Sequence, residues 1–336
     1  MKVDGAIGFR PIGEPVGARE AEEAGYDGVW TAETSHDPFM PLLLAAGETS
    51  RIELGTAIAV AFARNPMTTA MVANDLHWHS KGRFILGLGS QIRPHITKRF
   101  SMPWSHPARR MREFVLAMRA IWRCWNEREK LDFRGEFYTH TLMTPFFDPG
   151  PNPYGTPKVF LAGVGPKMTE VAGETCDGFI CHGFTTPKYL SEVTLPALEA
   201  GMAKAGRKRE DFEISIPLFV VTGTSEEQME QARRSVKGQI AFYGSTPAYR
   251  PVLELHGWGD LQTELNTLSK QGRWQEMADL VDDDVLDAMA VTAEPAELAS
   301  AISARYAGLV DRISFYAPYQ SDPETWLPVI AELKKI

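Results

Sequence analysis

The chain lacks the features that would staple it covalently or hold it in a membrane. Its three cysteines, Cys124, Cys176 and Cys181, are odd in number and form no CxxC pair. That argues against a disulfide framework or a zinc knuckle and leaves them as small buried residues. No apolar run approaches the roughly 18 residues of a membrane span, and the start MKVDGAIGF has no signal-type core. A cytoplasmic protein without a membrane partner is expected. HExxH, GxSxG and Walker A sequences are missing, and the eight histidines fall at no metal-ligand spacing, so no metal site is expected. No GxGxxG follows the first strand-like run, which argues against a doubly wound dinucleotide fold.

Acidic residues are also missing from one long stretch. Between Leu76 and Arg112 there is no Asp or Glu, whereas Lys81, Arg83, Arg93, Lys98, Arg99, Arg109, Arg110 and Arg112 all fall there. The net charge of −8 argues against nucleic-acid binding, and the basic stretch is either a solvated face or a seat for a small anionic partner.

What is present is alternation. Eight β-like runs, at 3–9, 28–32, 52–60, 83–89, 158–163, 178–182, 212–221 and 312–318, are separated by amphipathic stretches, the pattern of βαβ units. Met111, Val115, Met118, Trp122 and Trp125 recur at helical spacing and read as core. Helix starts are legible at Thr224-Ser225 and at Asp322-Pro323-Glu324. Eight strands with right-handed crossovers predict an α/β fold, a (β/α)8 barrel formed by residues 1–336 as a single domain. Insertions are expected at about 91–105, 131–157 and 244–291.

In such barrels chemistry sits where strands end and loops begin. The second strand leads to Glu33, His36 and Asp37, and the fourth to Ser90, Gln91, Arg93 and His95. His36 is a candidate proton carrier near neutral pH, or else packs locally beside Asp37 and Pro38. Gln91 and His95 are alternates. Gly163, Val164, Gly165, Pro166, Lys167 and Met168 open a helix whose first N–H groups can receive a phosphate, although Gly-x-Gly-Pro also simply makes a turn.

AGYDGVWTAETSHDPFMPL, RIELGTAIAVAFARNP, GRFILGLGSQ and LAGVGPKMTEVAGETCDGF occur in an order and spacing that resembles the luciferase-like monooxygenase superfamily over nearly the whole chain. The branch it looks most like uses coenzyme F420, a deazaflavin, with FMN as the alternative. The resemblance implies a flavin-type ring lying against the third strand, over a non-prolyl cis peptide that would fall at Ala57-Ile58. It also implies a phosphate held by Gly163 to Met168 together with His182 and Gly183, and an acidic residue matching Glu33. F420-dependent sugar-phosphate dehydrogenases of the superfamily carry an Asp-His pair after strand two, a Glu after strand four and a Lys after strand six. Here those places hold Glu33-Thr34 with His36 beyond, Gln91 or Ile92, and Phe184, so glucose 6-phosphate is not the expected substrate.

The expectation is an F420-dependent oxidoreductase acting on a small organic molecule, with Phe39, Phe62, Trp104, Phe184 and Tyr243 shaping an apolar pocket. The segment 239–259 reads as a lid or as a subunit contact. Expected partners are a second copy in a homodimer or higher homo-oligomer, and a separate F420 or flavin reductase. An FMN-dependent monooxygenase and a non-catalytic cofactor-binding protein are the alternatives.

Overall fold

The computed structural model describes residues 1–11 and 14–335. Eight parallel strands close a ring: β1 Lys2–Ala6, β2 Gly28–Thr31, β3 Glu53–Thr56, β4 Phe84–Gly89, β5 Lys158–Ala162, β6 Gly178–Ile180, β7 Glu213–Val221 and β8 Arg312–Tyr316. The order around the ring is β7, β8, β1, β2, β3, β4, β5, β6, and β6 pairs back onto β7. This is the parallel barrel expected of the alternating pattern, with each strand where the sequence places it. Every residue of β4 is buried, as befits a strand covered on both faces.

One predicted strand is broken. The run 52–60 becomes β3, then a cis peptide between Ala57 and Ile58, then Ala59–Val60. That last pair sits beside Leu88 and Gly89 of β4. The approach of β4 to β3 is so close that only glycine fits at position 87, where a Cβ would lie 1.8 Å from the Thr56 carbonyl oxygen. The Thr56 hydroxyl also donates to the Gly87 carbonyl at 2.7 Å and accepts from its N–H at 2.9 Å.

Helices α1 Ala18–Glu23, α2 Phe39–Glu48, α3 Pro66–His79, α4 Pro107–Glu127, α5 Pro166–Thr175, α6 Leu195–Lys204, α7 Glu226–Gly244 and α8 Pro295–Tyr306 alternate with the strands. Their starts follow capping chemistry. Asn65 accepts the Thr68 N–H ahead of Pro66, and Ser225 accepts the Gln228 N–H. The α4 stripe from Met111 to Trp125 is buried, and all three cysteines are free and buried.

The chain divides into two compact units. The first comprises Met1–Asp4, Cys181–Pro196 and everything from Ile214 on; the second comprises Gly5–Ile180 and Ala197–Glu213. In the first, a bidentate pair between Arg312 and Asp4, at 2.8 and 2.9 Å and essentially without exposure, ties β8 to β1. Of the expected insertions, 131–157 contains a two-stranded hairpin, Phe133–Arg134 with Thr139–His140. The segment 244–291 folds into short helices, including Arg250–Glu254 and Gly259–Lys270. Val252, Leu253 and Leu265 are buried in the core of the first unit, so the lid expected at 239–259 is a packed part of that unit. Among the described residues no helix is long and apolar enough to cross a membrane.

Candidate functional site

In the second unit, the loops after β2 and β3 are bound to each other by charge. The Glu33 carboxylate, 7% exposed, accepts from the Val60 N–H at 2.7 Å and from the Arg64 guanidinium at 2.6 Å. The Glu33 N–H in turn donates to the Ile58 carbonyl at 3.2 Å. Arg64 reaches on to Asp37 at 3.2 Å and lies over the Phe39 ring, 5.3 Å from its centroid. Asp37 also accepts the Phe39 N–H at 2.8 Å, so it serves the start of α2. Glu33 therefore clamps the segment that follows the Ala57-Ile58 peptide, from the Ile58 carbonyl to Arg64, with most of its acceptor capacity already used.

His36 lies outside this network. Its exposed ring stacks on Phe9 with centroids 4.2 Å apart and an interplanar angle of 15°. Packing on Phe9 takes the place of the local packing beside Asp37 and Pro38, and the ring nitrogens have no hydrogen-bond partner among the described residues.

At the end of β4, Ser90 donates to the Gln91 carbonyl at 3.1 Å. Gln91 itself takes φ 58°, a conformation that L residues other than glycine seldom adopt. Its side-chain oxygen accepts from the Ile92 N–H at 3.0 Å, so it is engaged in shaping its own turn. Exposed His95 begins a single π turn, His95–Arg99. The acid-free stretch separates into two groups of bases. Arg83 ties Ala46, Thr49, Ile52 and Ser80 together, Arg109 and Arg112 pair with Glu136 and Glu174, and Arg99 donates to the Thr34 carbonyl. Arg93 and Lys98 are exposed and have no anionic partner among the described residues.

At the end of β5, Gly165 is the N-cap of α5 and Pro166 its first residue, with no side-chain cap. A proline at this position removes one N–H that would in any case lack a helical partner, and the Gly165 carbonyl takes the Met168 and Thr169 N–H groups. A Cβ at Gly165 would meet nothing within 4 Å. The backbone ahead of α5 is thus open to solvent and free for an anion, with exposed Lys167 beside it.

In the first unit the chemistry is different. His182, just past β6, accepts the Phe184 N–H on Nδ1 at 3.0 Å. Its ring stacks on Tyr249 at 4.4 Å and meets the edge of Tyr243 at 4.6 Å. Burial pulls the imidazole down to about 4 from its ordinary 6.5, so it is neutral at physiological pH. Tyr243 and Tyr316 share a hydroxyl-to-hydroxyl bond of 2.9 Å. Burial raises Tyr316 well above the usual phenol range and Tyr249 to about 12. Gly183 is buried, and a Cβ there would come within 3.0 Å of the Pro217 carbonyl oxygen.

A cavity of about 680 Å³ lies elsewhere, between α2 and α3. It is lined by Met40, Leu43, Val72 and Trp78, with Asp37 and Arg64 also on its wall. Among the described residues no cluster of three His, Cys, Asp or Glu side chains could hold a metal ion.

With this geometry in place, comparison with known proteins is decisive about family. Residues 16–312 match the luciferase-like monooxygenase family. The chain belongs to that family. It is 56% identical over 313 residues to an uncharacterized Mycobacterium tuberculosis protein, covering 93% of this chain and 92% of the relative. It is 26% identical to the 5,10-methylenetetrahydromethanopterin reductase of Archaeoglobus fulgidus, covering 93% and 91%. The fold also matches the coenzyme F420-dependent tetrahydromethanopterin reductase of Methanopyrus kandleri with a TM-score of 0.77, at 22% identity over 98% of this chain and 97% of that one.

Within this luciferase-like framework, some side chains act differently from what the sequence suggests. Phe62 and Phe184 are at most 3% exposed and belong to the core, whereas Phe39, though buried, lines the cavity between α2 and α3. Only Trp104 and Tyr243 of that set are partly open. Arg64, Tyr249 and Tyr316 escaped notice. Arg64 had a signal, since a lone cation after β3 faces two carboxylates after β2, and the tyrosines had none because they come together from distant parts of the chain.

Proposed function

We propose that this luciferase-like protein is a coenzyme F420-dependent oxidoreductase that exchanges hydride with a small organic substrate. The observation that carries the reading is the uncapped start of α5 together with the unpaired bases Arg93 and Lys98, all within the second unit. Both FMN and F420 bring a phosphate, and an open helix N-terminus suits it. Only F420 adds a tail of several carboxylates, for which free cations have a use. In this reading Ala57-Ile58 and Ser90 border the ring, Val164 to Met168 take the phosphate, and Glu33 with Arg64 keeps the loops around the ring in register. The cofactor supplies the hydride chemistry when bound. His36 holds or delivers the accompanying proton, and its exposed ring, without a hydrogen-bond partner among the described residues, suits that role.

Gly165→Val tests the phosphate assignment. The position has φ −96° and open space where a Cβ would go, so the variant should fold normally while losing at least about tenfold in F420 affinity as the β-branched side chain screens the N–H groups. Unchanged affinity in a folded variant would place the phosphate elsewhere.

A further inference from the structure

The second unit carries an apolar face that the cofactor reading does not use. Helices α2 and α3 pack side by side and contain no Asp, Glu, Lys or Arg apart from Glu48 and Asp75. Leu42, Ala45, Ala46, Ala70 and Ala73 are buried on their inner side, yet Met40, Leu43, Leu44, Met71 and Trp78 are between 45% and 62% exposed. A helix that is apolar all round is one that is covered all round. The groove between the two helices, about 680 Å³ in volume, is walled by Met40, Leu43, Val72 and Trp78.

Size and charge together decide what covers this face. Side by side, the two helices offer a surface of roughly 20 by 20 Å, about 400 Å² in projection, which is more than a small molecule seated in the groove can hide. A lipid surface is disfavoured by Asp37 and Asp75 on the groove wall and by the net charge of −8, since anionic headgroups attract Lys and Arg. A second copy of the chain fits. Two chains of net charge −8 repel over most of their surfaces, and a face with almost no charge is where they can meet. The groove wall carries acids and bases alike, Asp37 and Asp75 with Arg64 and His79, so a two-fold contact need not set like charge against like. A stable dimer hides about 800 Å² of accessible surface per partner, about twice the projected face, so the loops at its rim take part as well. Those loops carry Asp37 and Arg64.

We propose that the α2–α3 face binds a second copy of this chain, and that the contact, by covering Asp37 and Arg64, fixes the loop after β3. In the single chain the Arg64 and Asp37 side chains are 19% and 43% exposed, and water competes for their 3.2 Å bond. Under a second copy that water leaves, and the pull of Arg64 on Asp37 and on Glu33 rises as the local dielectric falls. The segment from Ile58 to Arg64, which Glu33 holds through the Val60 N–H and the Arg64 guanidinium, is then secured from outside as well. None of these residues needs a bound cofactor for this role.

Sedimentation velocity on the whole chain tests the contact, and hydrogen exchange tests its effect. The wild type should sediment as a dimer at about 10 μM. Met40→Glu combined with Leu43→Glu changes two exposed positions of a helix to a residue that favours helix. That variant should be a monomer at the same concentration, having lost at least about a hundredfold in dimer affinity. Trp274→Glu, which alters a similarly exposed ring in the first unit, should remain a dimer. In the monomeric variant the Val60 and Arg64 amides should exchange at least about tenfold faster than in the wild type, while the amides of β7 keep their protection. If the double variant does not fold, Met71→Glu on α3 takes its place. A monomeric wild type, a dimer that survives charge on the α2–α3 face, loss of the dimer in Trp274→Glu, or a folded monomer with unchanged exchange at Val60 and Arg64 would overturn the proposal.

Discussion

The two units treat polar groups in opposite ways at their strand ends. In the second, Glu33, Asp37 and Arg64 form a charged clamp, and exposed Arg93 and Lys98 have no anionic partner among the described residues. In the first, His182 just past β6 and Tyr316 at the end of β8 meet the rings of Tyr249 and Tyr243, and burial lowers His182 and raises Tyr249 and Tyr316. A barrel presents strand ends around one rim, but nothing in the backbone requires those ends to be alike. The difference teaches that one barrel fold can gather charged and backbone groups at the strand ends of one unit and uncharged rings at those of the other.

The sharpest way to break this contrast is to remove the central cation. Arg64→Ala would leave the Glu33 carboxylate, 7% exposed, with the Val60 N–H as its remaining partner. A loss of about 3 kcal/mol is expected, the lower end for breaking a buried pair because Arg64 is partly exposed. Urea unfolding measures it, and a change under 1 kcal/mol would mean that the clamp contributes little.

The neutral side is tested by pH. Folded His182 is held near 4 while the unfolded chain takes up its proton near 6.5. The unfolded state therefore binds more protons between these values. Stability contributed by keeping His182 neutral is complete above 6.5 and declines as pH falls toward 4, by at most about 3 kcal/mol. His77, His140 and His256 are also lowered and act with the same sign, so the informative quantity is the difference between wild type and His182→Phe. The variant should lose part of the slope across that window, and identical slopes would show that His182 is not held neutral.

His36→Ala should lower the maximal rate about a hundredfold with cofactor affinity nearly intact, if proton transfer uses this ring. Steady-state kinetics under saturating F420 would show it, and normal turnover would reduce His36 to its packing on Phe9. The smallest effect belongs to the exposed bases. Arg93→Ser and Lys98→Ser should each cost F420 affinity only a few-fold at low salt, since exposed charge contacts are worth about 0 to 1 kcal/mol.

The barrel was legible in the sequence because each strand is a short apolar run bounded by turn residues and each long helix has an apolar stripe. The break in the third strand could not be read from composition, since LGTAIAV is apolar but for Thr56; only the family resemblance located it at Ala57-Ile58. Glu33 was identifiable by position alone, but its partner required knowing that the loops after β2 and β3 meet. The aromatic cluster was hidden for the same reason. Tyr243 and Tyr249 are six residues apart, but His182 and Tyr316 lie far from them in sequence, and no periodicity links the ends of different strands. Within the segment read as a lid or subunit contact, Val252 and Leu253 are buried in the core of the first unit, with Tyr249 and Trp258 packed against it.

In the proposed reading, Arg93 and Lys98 serve the carboxylate tail of F420. Fluorescence titrations of the same preparation with F420 and with FMN, each at low and at high salt, test it most directly. Tighter binding of F420 is predicted, with its advantage shrinking as salt screens Arg93 and Lys98. Equal affinities at low salt, or a preference for FMN, would contradict the claim.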